Sequence, residues 1–352
     1  MQHPLILLVG GRSTEHDASL HSYRRVITEL LDAADRFAVQ AVVHIDRKEG
    51  ARIITGPPWP LTESEFLIHR SAPLREAIAF LQDEGCFTFS LLHGTEGEDG
   101  CWQGLTEILD IRGSFGSVLS SAVGMDKRIQ AVLADAVVPD LRVPRTVAID
   151  RRHRASGIEL AAAAFEGSAV VVKPNRMGAS LLTTALTGFD GAAVEDLVRE
   201  IHEFSTTALV QQYITGTEIS CGILVEDGHA QPLPVLAIDT AERFFGHDQK
   251  HRRGGAAVTV NTGAEATLAQ RASVRLFEHL DLFGWARFDY IAAPDGVYFL
   301  EVNTIPGLMH GSLFPRMLAE HGRSIPDLID CCIQVGASMP SSRKQLPYEI
   351  GH

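Results

Sequence analysis

A chain of 352 residues, 45% of them hydrophobic, is long enough for two or three domains with real cores. Its formal charge of −13 argues against a general nucleic-acid or anionic-membrane surface, though not against a local basic pocket for phosphates. Its five cysteines (Cys86, Cys101, Cys221, Cys331, Cys332) form no CxxC pair and no metal-ligand spacing, so they read as reduced thiols of a cytosolic protein.

The first apolar run, Leu5 to Val9, predicts a buried strand closed by Gly10-Gly11. It is too short, and lacks the basic flank, for a signal peptide. No later run approaches the roughly 20 apolar residues of a membrane span. Asp17 to Leu31 reads as a helix, Phe37 to Ile45 as a strand, Pro57 to Pro60 as loop, and Leu74 to Gln82 as a helix. Thr88 to Leu92 reads as a strand running into the glycine-rich segment from His93 to Gly100. Strand and helix alternate, which predicts an open α/β sheet. Ligands of such sheets sit at the carboxyl ends of the strands, where Gly10-Gly11 and His93-Gly94 fall.

Met125 to Asp135 is expected as a helix and Ala169 to Lys173 as a strand, followed by the loop Asn175 to Ser180. Leu209 to Tyr213 and Glu218 to Val225 read as strands, as does Pro232 to Ile238. The polar segment from Glu242 to Ala256, carrying His247, Asp248, Lys250, His251, Arg252 and Arg253, has the length and charge of a lid over an active site. A helix is expected from Leu268 to Leu280, and the tail from Ser338 is expected to fray.

The most informative stretch is Arg287 to Asn303, read as two strands joined at Pro294-Asp295-Gly296. Successive side chains alternate between faces, so Arg287 shares a face with Asp289, and Glu301 with Asn303. A three-residue loop sets Asp289 opposite Glu301. Two carboxylates, an amide oxygen and a guanidinium then converge, a set that suits a magnesium ion better than a packed core. The alternative is a solvated hairpin face.

Other candidates are less specific alone. Lys173 ends an apolar strand, where it either meets an anion such as phosphate or snorkels to solvent. Gly178-Ala179-Ser180 could line phosphate oxygens with backbone N–H groups. Glu218 either accepts from ribose hydroxyls or edges a sheet, and Lys127 in isolation reads as a solvent-facing lysine. His247 and His251 stand four apart but lack the glutamate of HExxH, so they read as loop rather than zinc ligands.

Taken together these segments resemble the D-alanine–D-alanine ligase family of the ATP-grasp superfamily. The block from Gly10 through Glu15 to Leu20 is similar to the family's GGxSxExxxSL, and that from Leu92 to Gly104 to its LHGxxGEDGxxQG. Met125-Asp126-Lys127, Val172-Lys173-Pro174, Arg287-Phe288-Asp289, Glu301 to Gly307 and Ser312 to Pro315 follow in order. The resemblance implies a mixed α/β and α+β fold of three parts. Residues 1–118 would be an open parallel α/β substrate-binding domain, 119–210 a central ATP-grasp subdomain, 211–340 a C-terminal subdomain with metal site and lid, and 341–352 a tail.

The resemblance also implies an ATP-dependent carboxylate–amine ligase working through an acyl phosphate. ATP would be held by Lys127, Lys173, Gln211, Glu218 and Lys250. Asp289, Glu301 and Asn303 would hold two magnesium ions, with manganese as a substitute. Glu15, Ser180, Lys250 and Arg287 would be catalytic. Glu15, His93, His251, Gly307, Ser312 and Leu313 would bind the amino acids. It further implies a cytoplasmic homodimer serving peptidoglycan and cell-wall synthesis, with no nucleic-acid or membrane partner. The chain departs from the family at Ala179, Leu182, Gln211, His251 and the turn Leu308-Met309-His310. Three readings follow: a dipeptide ligase acting on D-alanine, a ligase joining other amino acids or D-alanine and a hydroxy acid in a secondary pathway, and a nucleotide-binding protein without catalysis.

Overall fold

The computed structural model describes residues 2–48, 50–83, 85–239 and 257–338, which form three sheets. In the first, β1 (His3–Gly10) lies between β2 (Phe37–Ile45) and β5 (Phe87–Ser90), parallel to both. Leu5, Leu7 and Val9 of β1 enter one core while Ile6 and Leu8 enter another. Burial on both faces explains why this strand is apolar throughout rather than alternating. α1 (His16–Asp32) makes the crossover to β2. β3 (Gly50–Thr55) and β4 (Ala72–Pro73) extend the far edge antiparallel, so the sheet is parallel at its centre and mixed at its rim. α2 (Glu63–Leu67), α3 (Leu74–Asp83) and α4 (Cys101–Leu109) complete this part.

The helix expected from Met125 to Asp135 forms two residues further along, and a separate helix precedes it. α5 (Val118–Met125) ends at Asp126, whose carboxylate accepts from Ile129 N at 3.1 Å and so caps α6 (Lys127–Val137).

The central sheet is antiparallel, in the order β6 (Thr146–Asp150), β9 (Thr207–Gln212), β7 (Val170–Pro174), β8 (Thr184–Leu186). Period-two alternation divides it. Ile149, Val170, Val172, Ala208 and Val210 pack against α7 (Arg154–Phe165) and α8 (Gly191–Phe204) in a core of their own. Thr146, Val171, Lys173 and Gln211 occupy the opposite face. β9 runs to Gln212, two residues past the division expected after residue 210.

The third sheet has the order β13 (Ala257–Asn261), β12 (Val235–Asp239), β10 (Thr217–Glu226), β14 (Trp285–Ala293), β15 (Gly296–Asn303), with β11 (His229–Pro232) paired to β10. The single strand expected from Pro232 to Ile238 is broken: β11 ends at Pro232 and β12 begins at Val235, with Pro234, which has no N–H to donate, between them. α9 (Ala264–His279), α10 (Leu313–Glu320) and α11 (Ile325–Ser338) pack on this sheet and on the first part of the chain.

The β14–β15 hairpin reaches the expected register by a different route. Ala293 pairs with Gly296, so the turn has two residues rather than three, and Gly296 takes φ 145°, open to glycine. A bulge at Leu300 then restores the pairing of Asp289 with Glu301 and Arg287 with Asn303. Strict alternation from the buried Val297 and Phe299 would have driven Glu301 into the core. The extra residue inverts the phase, so Val302 is buried with them and Glu301 turns to the other face.

Candidate active site

Asp289 is 3% exposed and its carboxylate accepts four hydrogen bonds. Oδ1 receives Ser220 Oγ (2.6 Å) and Arg287 Nε (2.9 Å); Oδ2 receives Arg287 Nη2 (2.8 Å) and Asn303 Nδ2 (3.0 Å). Burial disfavours the Arg287 charge, but Asp289, with Glu301 and Glu218 beyond it, outweighs burial and holds the guanidinium firmly protonated. Glu301 Oε2 faces Lys127 Nζ at 3.0 Å, and the same ammonium donates to Met177 O at 2.7 Å. Lys127, read in isolation as solvent-facing, is thus turned inward at the first turn of α6. Asp289, Glu301 and Asn303 offer hard oxygen donors from adjacent strands. Among the described residues no group of three or more His, Cys, Asp and Glu is placed to hold a metal ion by itself, and this set is two carboxylates and one amide. That fits magnesium, which takes a few protein oxygens and completes its shell with phosphate and water.

A second acidic group adjoins the first. Glu15, just before α1, is raised to about 8 by burial, then by Glu98 and Glu301, against the lowering effects of Lys127 and the Gly178 backbone. A Cβ on Gly178 would lie 2.5 Å from Glu15 Oε1 and one on Gly94 2.8 Å away, so two backbone approaches enclose this carboxyl. Glu98 is also raised by burial, although its carboxylate accepts from Gly94 N (2.8 Å), Ile305 N (3.0 Å) and Thr304 Oγ1 (3.3 Å). It therefore ties the N-terminal glycine-rich segment to the chain just beyond Asn303.

His93, 4% exposed, is brought to the same seam. Ser22 Oγ lies 3.4 Å from its Nε2 and itself accepts from Leu308 N at 3.1 Å. Burial lowers the imidazole to about 4, with a hydrogen bond to the Ile305 backbone opposing, so His93 is neutral near pH 7. Beyond it, Gly307 approaches Ser312, the N-cap of α10, with Leu313 the first helical residue.

One cleft connects Lys127, Lys173, Ser180, Gln211, Glu218, Asp289 and Glu301. Ala179, Ser180 and Leu182 take φ of 52°, 54° and 52°, left-handed conformations that favour glycine. At Leu182, where the resembled family has glycine, the conformation is kept although the glycine is not. Lys250 and His251 lie outside the described residues.

Two contributors carried no assigned role in the sequence. Glu98 lies within the motif from Leu92 to Gly104, and its signal is an acid set in a glycine-rich segment. Ser220 interrupts the apolar run of β10 opposite Asp289, where a lone hydroxyl needs a partner.

Family descriptions match most of the chain: "D-ala D-ala ligase N-terminus" over residues 4–114 and "D-ala D-ala ligase C-terminus" over residues 134–334. A D-alanine–D-alanine ligase of Clostridium perfringens is 30% identical over 332 residues, covering 93% of this chain and 96% of the relative. Among solved structures, the VanG D-Ala:D-Ser ligase of Enterococcus faecalis superposes with TM-score 0.76 at 24% identity, covering 96% of this chain and all of the other. The D-alanine–D-alanine ligase of Bacillus anthracis complexed with ATP superposes with TM-score 0.69 at 22% identity, covering 96% and 97%.

Proposed function

The chain belongs to the D-alanine–D-alanine ligase family, with its ATP-grasp fold, and we propose that it is an ATP-dependent ligase forming a dipeptide from D-alanine through an acyl phosphate. The observation that carries this reading is the meeting of Lys127, Asp289 and Glu301 in one cleft, with Arg287 paired to Asp289 and Glu15 close to Lys127 and Glu301. Lys127 and Lys173 meet the phosphates, and Glu218 accepts from the ribose. Asp289, Glu301 and Asn303 hold magnesium, which when bound neutralises charge on the phosphate oxygens.

In the reaction the carboxylate of the first amino acid attacks the γ-phosphorus, and ADP leaves. The amine of the second amino acid then attacks the acyl carbon, and phosphate leaves as the peptide bond forms. Glu15 binds the first ammonium as a carboxylate, releasing to solvent the proton that burial holds on it in the free protein. Arg287, pointed by Asp289, faces negative charge developing on the tetrahedral carbon's oxygen. Gly307, Ser312 and Leu313 receive the second carboxylate at the start of α10, where backbone N–H groups favour an anion. His93, neutral and bonded to Ser22 and the Ile305 backbone, positions the loop between the two amino-acid sites. Ser180 borders the phosphates. Lys250 and His251 complete the proposal from outside the described residues. It extends to a cytoplasmic homodimer supplying dipeptide for peptidoglycan.

A second reading, with at least one substrate other than D-alanine, is favoured by one observation. The loop beside Glu15 has no hydroxyl at Ala179 and a leucine in a left-handed conformation at 182. Phosphate release from ATP with each D- and L-amino acid, singly and in pairs, tests both. Release with D-alanine alone supports the first, release only with other partners supports the second, and release with none overturns both.

A further inference from the structure

The nucleotide cleft contains a hydrogen-bond chain with a fixed direction. The Thr146 hydroxyl lies 2.9 Å from Pro144 O. A carbonyl oxygen only accepts, so the single hydroxyl hydrogen of Thr146 points at Pro144. Its oxygen can then only accept. The side-chain amide of Gln211 lies 3.0 Å from that oxygen and must present its NH2 to it. The two ends of a glutamine amide are nearly identical in shape, so packing alone would not choose between them. The choice is made by Thr146, which is the direct cross-strand neighbour of Gln211 between β6 and β9. Gln211 is 7% exposed and borders the cleft, so its remaining polar end, the carbonyl oxygen, is what the cleft receives.

The cleft is chemically graded. Lys127, Asp289 and Glu301 make one region suited to phosphates and metal. Val171, Ile291 and Leu300 supply apolar walls, and Gln211 is a polar group beside them. A flat base lying between these apolar walls would meet the Gln211 oxygen.

We propose that Thr146 determines nucleobase specificity by locking the Gln211 amide as an acceptor, selecting a purine with an amino donor at position 6 over one with a carbonyl. This rests on reading the cleft as the ATP site. Against a 6-oxo purine the Gln211 oxygen would face another oxygen. The amide could adapt only by turning its NH2 inward, which would set its oxygen against the Thr146 oxygen. Removing the hydroxyl frees that rotation.

The test compares ATP with ITP in phosphate release with D-alanine, and in magnesium-dependent nucleotide binding by calorimetry, which needs no turnover. The intact protein should prefer ATP by about 100-fold in kcat/KM, since a site built around one hydrogen bond rejects the analogue that cannot make it. Thr146→Val keeps the β-branched shape and should cut that preference about 10-fold, chiefly through the KM for ITP. Thr146→Ser restores the hydroxyl and should restore the preference. In Gln211→Glu both side-chain oxygens accept, so adding Thr146→Val should leave the ratio unmoved. A folded Thr146→Val protein with an unchanged ATP/ITP ratio overturns the inference. So does an equal fall in the Gln211→Glu background, which would mark a merely structural role for Thr146. Equal use of ATP and ITP by the intact protein overturns it too, while leaving the ligase reading standing. Binding of neither nucleotide removes the ATP site and this inference with it.

Discussion

Glu301 and Lys127 neutralise each other at 3.0 Å, and the same carboxylate is a proposed metal ligand. Glu301→Gln keeps the shape and removes the charge. Lys127 retains the Met177 carbonyl, so the fold should survive with Tm within a few degrees, whereas phosphate release should fall by about 10³-fold or more. Parallel calorimetry and phosphate assays check both halves; an active variant removes Glu301 from the metal site. Glu15 makes a different prediction because burial has raised it to about 8. Below pH 4.5 the folded and unfolded states both hold the proton. Above it the unfolded chain releases the proton while the folded protein keeps it, so stability falls from about pH 4.5 to about 8 and is flat beyond. Glu15→Gln should therefore be more stable than the parent at pH 8.5, by about 1–3 kcal/mol, with no difference at pH 4.5. Urea midpoints at the two pH values check the sign, and equal differences at both would refute it. At this scale the pair of Asp289 and Glu301 was legible because strand alternation relates neighbours in sequence. Glu98 was not, because its partner Ile305 lies 207 residues away and no local pattern links them.

The connection from β7 to β8 makes the central sheet part of the site, through Gly178. A Cβ there would meet the tip of Glu15 rather than backbone, so Gly178→Ala should displace the carboxyl and leave the fold intact. The KM for the first amino acid should rise about 10-fold, with a smaller change in kcat, since the interaction lost is one of binding. Steady-state kinetics against D-alanine decide it: an unchanged KM means that Glu15 does not hold that substrate. Elements were legible where burial imposed a pattern. β1, β2, β10 and β14 are long and apolar, and their existence and order follow from that. α7 has alanines around its circumference and no single apolar stripe, so it gave no helical period to read. β8 has three residues and β4 two, too short for alternation to show. The hairpin is the instructive case. Its turn is a residue shorter than expected and the bulge at Leu300 compensates, so the register at the site held while the route to it was hidden. Bulges follow from which side chains must be buried, and a local turn signature does not report that.

Two bodies of different construction meet at the cleft. Leu328, Ile329 and Cys332 of α11 share one core with Leu20, Val26, Ile27 and Leu30 of α1 and with Leu5 and Leu7 of β1. The first and last parts of the chain thus make a single frame, which holds Glu15 and Glu98 against Glu301 and Thr304. The central sheet has its own core and contributes Lys173 and Gln211 from outside that frame. Polar contacts also cross the seam: Arg36 pairs with Asp327 at 2.9 Å and also with Asp330, and Ile325 N donates to Glu29 at 3.3 Å. Magnitudes separate the two kinds of contact. Arg36 is partly exposed, and such pairs are worth about 0–1 kcal/mol. Leu328 is fully buried, and truncating a buried leucine to alanine costs about 2–5 kcal/mol. Arg36→Ala should accordingly shift the urea midpoint little, and Leu328→Ala strongly. Because the core is shared, Leu328→Ala should accelerate amide exchange in β1, some 320 residues away in sequence, as much as in β14. If β1 exchange stays at the parent rate while β14 loosens, the frame is two independent domains, and the alignment of Glu98 with Ile305 must come from the hydrogen bonds between them.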